Sequence, residues 1–423
     1  MWLEKIKQIW HARDLRNNIL FVILMLVVFR IAANIPFPGV DTAALNNLFN
    51  DNQALGMLNL FSGGGMQTFS VVMMGVAPYI TSSIIFQLLP MVFPKLEEIQ
   101  KEEQGKQKIT MWTRWLTVPL AAMQSFGMIT LLQKSSPGIL GNVGAFDMLH
   151  MIVIITAGTI FLMWIGELIT EKNIGNGISL LIFAGIISRV PQAVQKVIAT
   201  YDPTQLFTII ALVIIGLLTI VGVVFINEGQ RNIPIQHARQ ARMGSAGGGA
   251  NYLPLRVNMA GVIPIIFAIA VITFPNMMAQ FLAQAQSEWL TAFASWLKAV
   301  FQNEAIFGVL YFLLVFAFTY FYTEVTFDPQ KISENLQKQG AFVPGIRPGQ
   351  NTRDYLAYVT HRILLFGGLF LGFIAVLPLI VQAFTNMKVL TIGGASLLIV
   401  VAVTVETVKQ IQTQLTMREY DGA

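Results

Sequence analysis

The chain has 423 residues, 55% of them apolar and only 12% charged, with a net charge of +5 and a mean hydropathy of +0.63. A soluble domain carries about 25% charged residues, so a polytopic membrane protein is expected and a large soluble core is excluded. The chain has no cysteine, and its four histidines are scattered. Disulfide frameworks, thiolate metal sites and the paired-histidine zinc motif are therefore excluded, and no metal or cofactor is expected.

The first eighteen residues, MWLEKIKQIWHARDLRNN, read as a basic, partly amphipathic segment on a membrane surface. The apolar run behind them has full span length and lacks a small-residue cleavage site, unlike a signal peptide. A spanning helix needs roughly 20 mostly apolar residues. Ten runs meet that requirement, near 19–37, 75–93, 113–133, 149–169, 178–199, 205–227, 255–282, 306–324, 361–386 and 391–410. With the N-terminus inside, 21 of the 27 Lys and Arg residues fall on inner segments. Lys134, Arg189, Lys196, Lys298 and Lys388 fall outside, and Arg30 lies within the first span. Positively charged loops stay in the cytoplasm, so both termini are predicted there. The ten spans suggest an N-terminal half at 19–200, a C-terminal half at 205–410 and a cytoplasmic tail at 411–423. Five spans is an odd number, so related halves would be inverted in the membrane, and inverted halves build a path along their interface.

The stretch FSGGGMQTFSVVMMGVAPYITSSI, Phe61 to Ile84, reads as a broken helix. Glycines open it, Gly75 and Pro78 restart it, and Thr81, Ser82 and Ser83 follow. Two inner loops, near 228–255 and 326–360, are longer than a connection needs. Both are basic and rich in Gly and Pro, which suits either topology signals or docking surfaces for a cytoplasmic partner. In the second loop, Pro344, Gly345, Pro348 and Gly349 bracket Arg347 and predict a tight turn that presents it. In the first, the run Gly244–Gly249 predicts a flexible tip.

The middles of the spans hold almost no charge. Arg30 lies toward an outer end, Glu167 and Glu324 lie toward inner ends, and Glu406 is a turn from Lys409. An ion-coupled transporter places acidic groups or histidines near the midplane, and no such set is present. There is no phosphate-binding loop and no nucleophile–base or carboxylate pair, so no catalytic residue is proposed. The spans carry neutral polar groups instead: Thr81, Ser82, Ser83 and Gln87 on the second, Gln124 and Ser125 on the third, Asn258 on the seventh. These suit either ordinary interhelical hydrogen bonding or a seam that opens.

The motifs FSGGG, GVAPYITSSIIFQLL, FLMWIGELITEKNIGNGISLLIFAGI, LPLRVNMAGVIPIIF, GAFVPGIRPG and GGASLLIVV occur in order along nearly the whole chain. Together they resemble the SecY family of protein-conducting channels, of the bacterial type. The resemblance implies an all-α polytopic fold, with ten transmembrane helices in two inverted five-helix halves around an hourglass pore. It implies a pore ring at Val76, Ile80, Ile178, Ile182, Ile266 and Ile399, and a polar lateral-gate cluster at Thr81, Gln124 and Asn258. It implies a plug near 58–74 that includes Phe61, Ser62, Gly63, Gly64, Gly65 and Phe69. Docking of a motor or ribosome falls to Arg347, with His237, Arg239 and Arg242 from the first loop. The implied partners are the small membrane subunits SecE and SecG, the motor ATPase SecA, the ribosome, a nascent or precursor polypeptide and the YidC insertase. Nucleic-acid contact would be limited to ribosomal RNA. Two departures stand out. Val76 is smaller than the family's usual Ile, and the first loop's tip is glycine-rich where the family is often more basic. The competing readings are a small-solute secondary transporter and a structural or insertase scaffold without a central path.

Overall fold

Lipid offers a backbone only two ways to satisfy its N–H and C=O groups, helix or closed barrel, and this chain uses helices. The computed structural model describes residues 8–38, 40–41, 44–45, 59, 62–135, 144–199, 206–237, 251–282, 287–385 and 394–421. In chain order its helices begin with α1 (Arg13–Ala33), α2 (Ala77–Val92), α3 (Pro94–Lys101), α4 (Glu103–Ser135) and α5 (Ala145–Glu171). There follow α6 (Gly177–Ile187), α7 (Val190–Ala199), α8 (Leu206–Glu228), α9 (Ile263–Leu282) and α10 (Glu288–Gln302). The last are α11 (Glu304–Thr326), α12 (Pro329–Lys338), α13 (Gln350–Thr385) and α14 (Gly394–Asp421). Three strands, β1 (Gln230–His237), β2 (Asn251–Arg256) and β3 (Ala341–Phe342), complete the described elements.

Each of the ten predicted spans contains an apolar helix. Among the described residues seven helices are long and apolar enough to cross a membrane: α1, α4, α5, α8, α11, α13 and α14. The second predicted span holds α2, which is followed by α3 at a bend of 108° where Pro94 opens α3. The fifth and seventh hold shorter apolar helical stretches, Gly177–Gln192 and Ile263–Ile272.

Three boundaries differ from expectation. The fifth span, expected as one helix, is interrupted at Ser188–Arg189 between α6 and α7. The Ser188 hydroxyl donates to the Gly185 carbonyl at 2.8 Å, and Pro191 in the first turn of α7 disfavours helical continuation through the residue before it. The seventh span starts at Ile263 instead of 255, because 251–256 is strand. The broken helix expected after Phe61 is not helical across 62–76: it is a run of turns with a single bridge, Pro36 to Ser70.

The chain divides into two compact units. The first comprises Met1–Pro203, Ile269–Asn303 and Val403–Ala423. Within it α4 packs against both α2 and α5, α6 lies on α5, and α1 meets α5 and α6. The buried Ser82 hydroxyl on α2 donates to the Thr113 carbonyl on α4 at 2.7 Å. Arg114 of α4 and Glu167 of α5 form an ion pair at 2.7 Å. Its arginine side chain is 49% exposed, so the pair contributes no more than about 1 kcal/mol.

The second unit comprises Thr204–Ala268 and Glu304–Ala402. Its main helix pair is α11 with α13, and α8 also touches α13. The two long loops, read from sequence as Gly- and Pro-rich connections, form one three-stranded sheet of order β2-β1-β3. β1 runs antiparallel to β2 from Gln230 opposite Arg256 to Ile235 opposite Asn251. β3 joins the far end of β1, with Gln236 opposite Phe342 and His237 opposite Ala341. Alternation explains the pairing. Ile233 and Ile235 of β1 and Leu255 of β2 are buried, while Pro234 and Pro254 between them are exposed. Ile233 and Leu255 join Val343, Leu356 and Val359 in one apolar core beneath the sheet.

Candidate functional site

The segment Ser62–Val76 sits in the first unit, on a seat assembled from four helices. Met66, Phe69, Met73 and Met74 are buried with Met128, Ile129 and Leu132 of α4 and Ile155 of α5. The chain emerging from α1 supplies polar contacts. The Phe37 amide donates to the Phe69 carbonyl at 3.0 Å, and the Thr68 hydroxyl donates to the Ala33 carbonyl at 2.9 Å. Two helices make room by omitting a Cβ. A side chain at Gly158 of α5 would strike the Val71 backbone, and one at Gly185 of α6 would strike the Cα of Gly63.

Inside the segment the path is strained. Gly63, Gly64 and Gly75 adopt positive φ, and so does Phe69 at 45°. For a bulky residue that conformation costs on the order of 1–2 kcal/mol. Complete burial and an edge-on contact with Phe37 at 5.8 Å hold Phe69 there. The side chains of two arginines also reach the segment. Arg30 of α1 donates to the Gly63 carbonyl at 2.7 Å, and Arg189 donates to Gln67 Oε1 at 2.9 Å. Of the residues expected in the plug, Ser62, Gly63, Gly64, Gly65 and Phe69 belong to this segment, while Phe61 lies outside the described residues.

Val76 caps α2 and accepts the Ile80 amide at 3.0 Å, so the two expected ring residues lie one turn apart. Val76 is 2% exposed and Ile80 6% exposed. Ile178 and Ile182 begin α6, where Asn176 caps the helix by accepting from the amides of Ile178 and Ser179. Ile182 is buried, and Ile178 is half-buried with its side chain beside Gly166 of α5. The other two expected ring residues belong to the second unit. Ile266 lies in the first turn of α9 and Ile399 early in α14, and both are buried. The six aliphatic side chains are thus divided four and two between the units.

The expected gate cluster divides in the same way. Thr81 donates to the Ala77 carbonyl of its own helix at 3.0 Å, and Gln124 is half-buried on α4. Asn258, expected on the seventh span, instead lies in the turn before α9. Its side chain explains the placement: Oδ1 accepts the Gly261 amide at 3.0 Å, and Nδ2 donates to Asn227 Oδ1 at 2.7 Å. A local turn therefore competes with helix at this asparagine. The sequence reading missed the partners Asn227 and Thr113. The signal for Asn227 was its place in an otherwise apolar helix end, and Thr113 contributes only a carbonyl, which no side-chain pattern reveals.

Arg347 is exposed on the turn after β3, where Gly345 adopts φ 81°. Three bonds fix that turn. The Ile346 amide donates to the Val343 carbonyl at 3.1 Å, Thr352 to the Arg347 carbonyl at 3.0 Å and Ser333 to the Gly349 carbonyl at 2.7 Å. The sheet brings the backbone of His237 to the base of the same loop. Arg239, Arg242 and the Gly244–Gly249 run lie outside the described residues.

The SecY family model matches residues 70–408. The chain is 41% identical to the protein translocase subunit SecY of Staphylococcus epidermidis, over 97% of each chain. It is 40% identical to the subunit of the same name from Corynebacterium glutamicum, over 99% of each. Among solved structures it resembles SecY in a study of how the plug domain stabilises the closed channel (TM-score 0.62, 16% identity, 93% of this chain, 91% of that one). It also resembles Sec61 in the canine ribosome–channel complex of the endoplasmic reticulum (TM-score 0.59, 16% identity, 93% and 91%). At such identity these likenesses show the fold, a mostly helical polytopic one.

Proposed function

The chain belongs to the SecY family, and on that premise we propose that it is the pore-forming subunit of a bacterial protein translocase. It passes unfolded secretory polypeptides across the cytoplasmic membrane and releases apolar segments sideways into lipid. The observation that carries this reading is the buried segment Ser62–Val76, which leads directly into Val76 and Ile80 at the start of α2. A stopper and two of the six residues of a gasket are then consecutive in the chain.

The gasket is the ring Val76, Ile80, Ile178, Ile182, Ile266 and Ile399. Aliphatic side chains offer ions and water no hydrogen bonds, so a narrow ring of them dewets and blocks both. They make no specific bonds to a passing chain either, so any sequence slides. Thr81, Gln124 and Asn258 line the lateral gate, where neutral polar groups tolerate water when the wall opens. Through that gate a run of about 20 apolar residues moves into lipid, while each central Lys, Arg or Asp resists by a few kcal/mol. A gate that opens often therefore sorts by hydrophobicity without reading a motif.

The driving force comes from outside. The chain carries no phosphate-binding loop, and we assign it no enzymatic activity. SecA or the ribosome docks on the cytoplasmic layer built from the two long loops, through Arg347 with His237, Arg239 and Arg242. SecE, SecG and YidC are the membrane partners, and both termini are cytoplasmic, as the bias of Lys and Arg toward one side supports. The test is reconstitution: vesicles holding this chain, SecE, SecG and SecA should protect a secretory precursor from added protease when ATP is supplied. No protection with an active motor would refute the proposal.

A further inference from the structure

We propose that Arg30 and Arg189 act as positioning residues, a two-armed cationic latch that holds the Ser62–Val76 segment in its seat. The proposal rests on reading that segment as the plug. Arg30 comes from the last turn of α1 and Arg189 from the break between α6 and α7, so the arms approach from different helices. They converge on one short stretch. Arg30 holds the carbonyl of Gly63, and Arg189 holds the side chain of Gln67. The Arg189 guanidinium also covers Gly64 so closely that a Cβ there would lie 3.3 Å from Nε.

An arginine within an apolar span is expensive and needs a partner. Among the described residues neither arginine is bridged to a carboxylate; each spends its charge on a neutral oxygen. That choice suits a latch. A charge-assisted bond to a neutral acceptor is stronger than an ordinary hydrogen bond. When it breaks it strands no opposite charge, as a broken buried ion pair does. The segment is therefore held firmly and still able to leave. The break between α6 and α7 acquires a reason as well: an uninterrupted helix would carry Arg189 along a different path from the one that reaches Gln67.

The test reads resting ion leak of the reconstituted channel with no precursor present. Arg30→Gln and Arg189→Gln should each raise the leak by roughly tenfold, the worth of one charge-assisted bond. Gln67→Glu keeps the shape and turns the neutral acceptor into an ionic one, so it should lower the leak and slow precursor transport. In an Arg189→Gln background Gln67→Glu should lose that tightening. Wild-type leak in both arginine variants overturns the latch, as does a Gln67→Glu effect that is the same with and without Arg189. Gel filtration reports whether each variant is folded, and the isosteric Gln67→Glu keeps the test open if an arginine variant is not. Deleting Gly64–Phe69 separates the two claims. A leaky deletion with tight arginine variants removes only the latch, whereas a tight deletion removes the plug and the latch together.

Discussion

Replacing Gly185 with Ala adds one methyl group where the structure has least room for it. Carbon atoms rest about 3.5–4.0 Å apart, and a Cβ at Gly185 would fall far inside that range from the Cα of Gly63. Neither neighbour yields easily, because both are backbone. Helix α6 is also pinned at its start, where Gly177 already lies against the Gly166 backbone of α5. The Ser62–Val76 segment must therefore lift, by about 1 Å to restore normal contact. A lift of that size draws the Gly63 carbonyl away from Arg30, whose bond is now 2.7 Å. Overpacking costs about 1–3 kcal/mol, and a weakened charge-assisted bond costs up to about 1.5–3 kcal/mol. Together they amount to roughly 1–6 kcal/mol, which lowers the seated fraction by at least about fivefold. Helix propensity pushes the other way, since Ala is better than Gly by about 1 kcal/mol inside a helix. The sign of the outcome is therefore diagnostic. Resting conductance in vesicles should rise for Gly185→Ala and stay at the wild-type level for Gly216→Ala, whose added Cβ meets nothing within 4 Å. A Gly185→Ala channel that seals like wild type with raised thermal stability would refute the steric reasoning.

Three further outcomes are expected. Arg347→Glu should cut motor-dependent precursor transport by about tenfold or more, since like charges across an interface cost several kcal/mol; membrane insertion and folding should be normal, and transport at the wild-type rate would remove Arg347 from docking. Leu356→Ala empties the centre of the core beneath the sheet, where Leu356 is fully buried. It should cost about 2–5 kcal/mol, read as faster limited proteolysis of both long loops together. Asn258→Ala leaves Asn227 Oδ1 without its donor and should destabilise the protein by about 1–3 kcal/mol, read as a lower melting temperature in detergent.

The spans were legible because lipid acts as a uniform solvent and imposes length and hydropathy on every crossing segment. The sheet was not. Its signals, Ile233-Pro234-Ile235 and Leu253-Pro254-Leu255, alternate correctly, yet a proline inside each run demotes it as a strand. Both prolines are tolerated for positional reasons. Pro254 is on an edge strand, and Pro234 lies on the part of β1 that β3 does not reach. The tight turn at Arg347 was readable, since Pro and Gly dictate backbone angles locally. Asn258 was misplaced because hydropathy windows do not register an asparagine that closes its own turn. The contacts of Arg30 and Arg189 were unreadable for another reason. Their acceptors are 33 and 122 residues away in sequence, and a neutral carbonyl or amide leaves no complementary charge to search for.

The seat of Ser62–Val76 also sets an order of events during synthesis. The segment leaves the ribosome before every helix wall that closes over it except α1: Met128, Ile155, Gly158, Gly185 and Arg189 all come later in the chain. At about 5–20 residues per second, the interval between Phe69 and Arg189 is on the order of ten seconds. Early in that time Met66, Phe69 and Met73 have only the earlier part of their apolar cluster, Phe37 and Leu45, and the strained backbone at Phe69 lacks the α4 and α5 side chains that complete its burial. The segment is thus without its full seat until α6 arrives, and any factor that shelters early spans must hold this stretch as well.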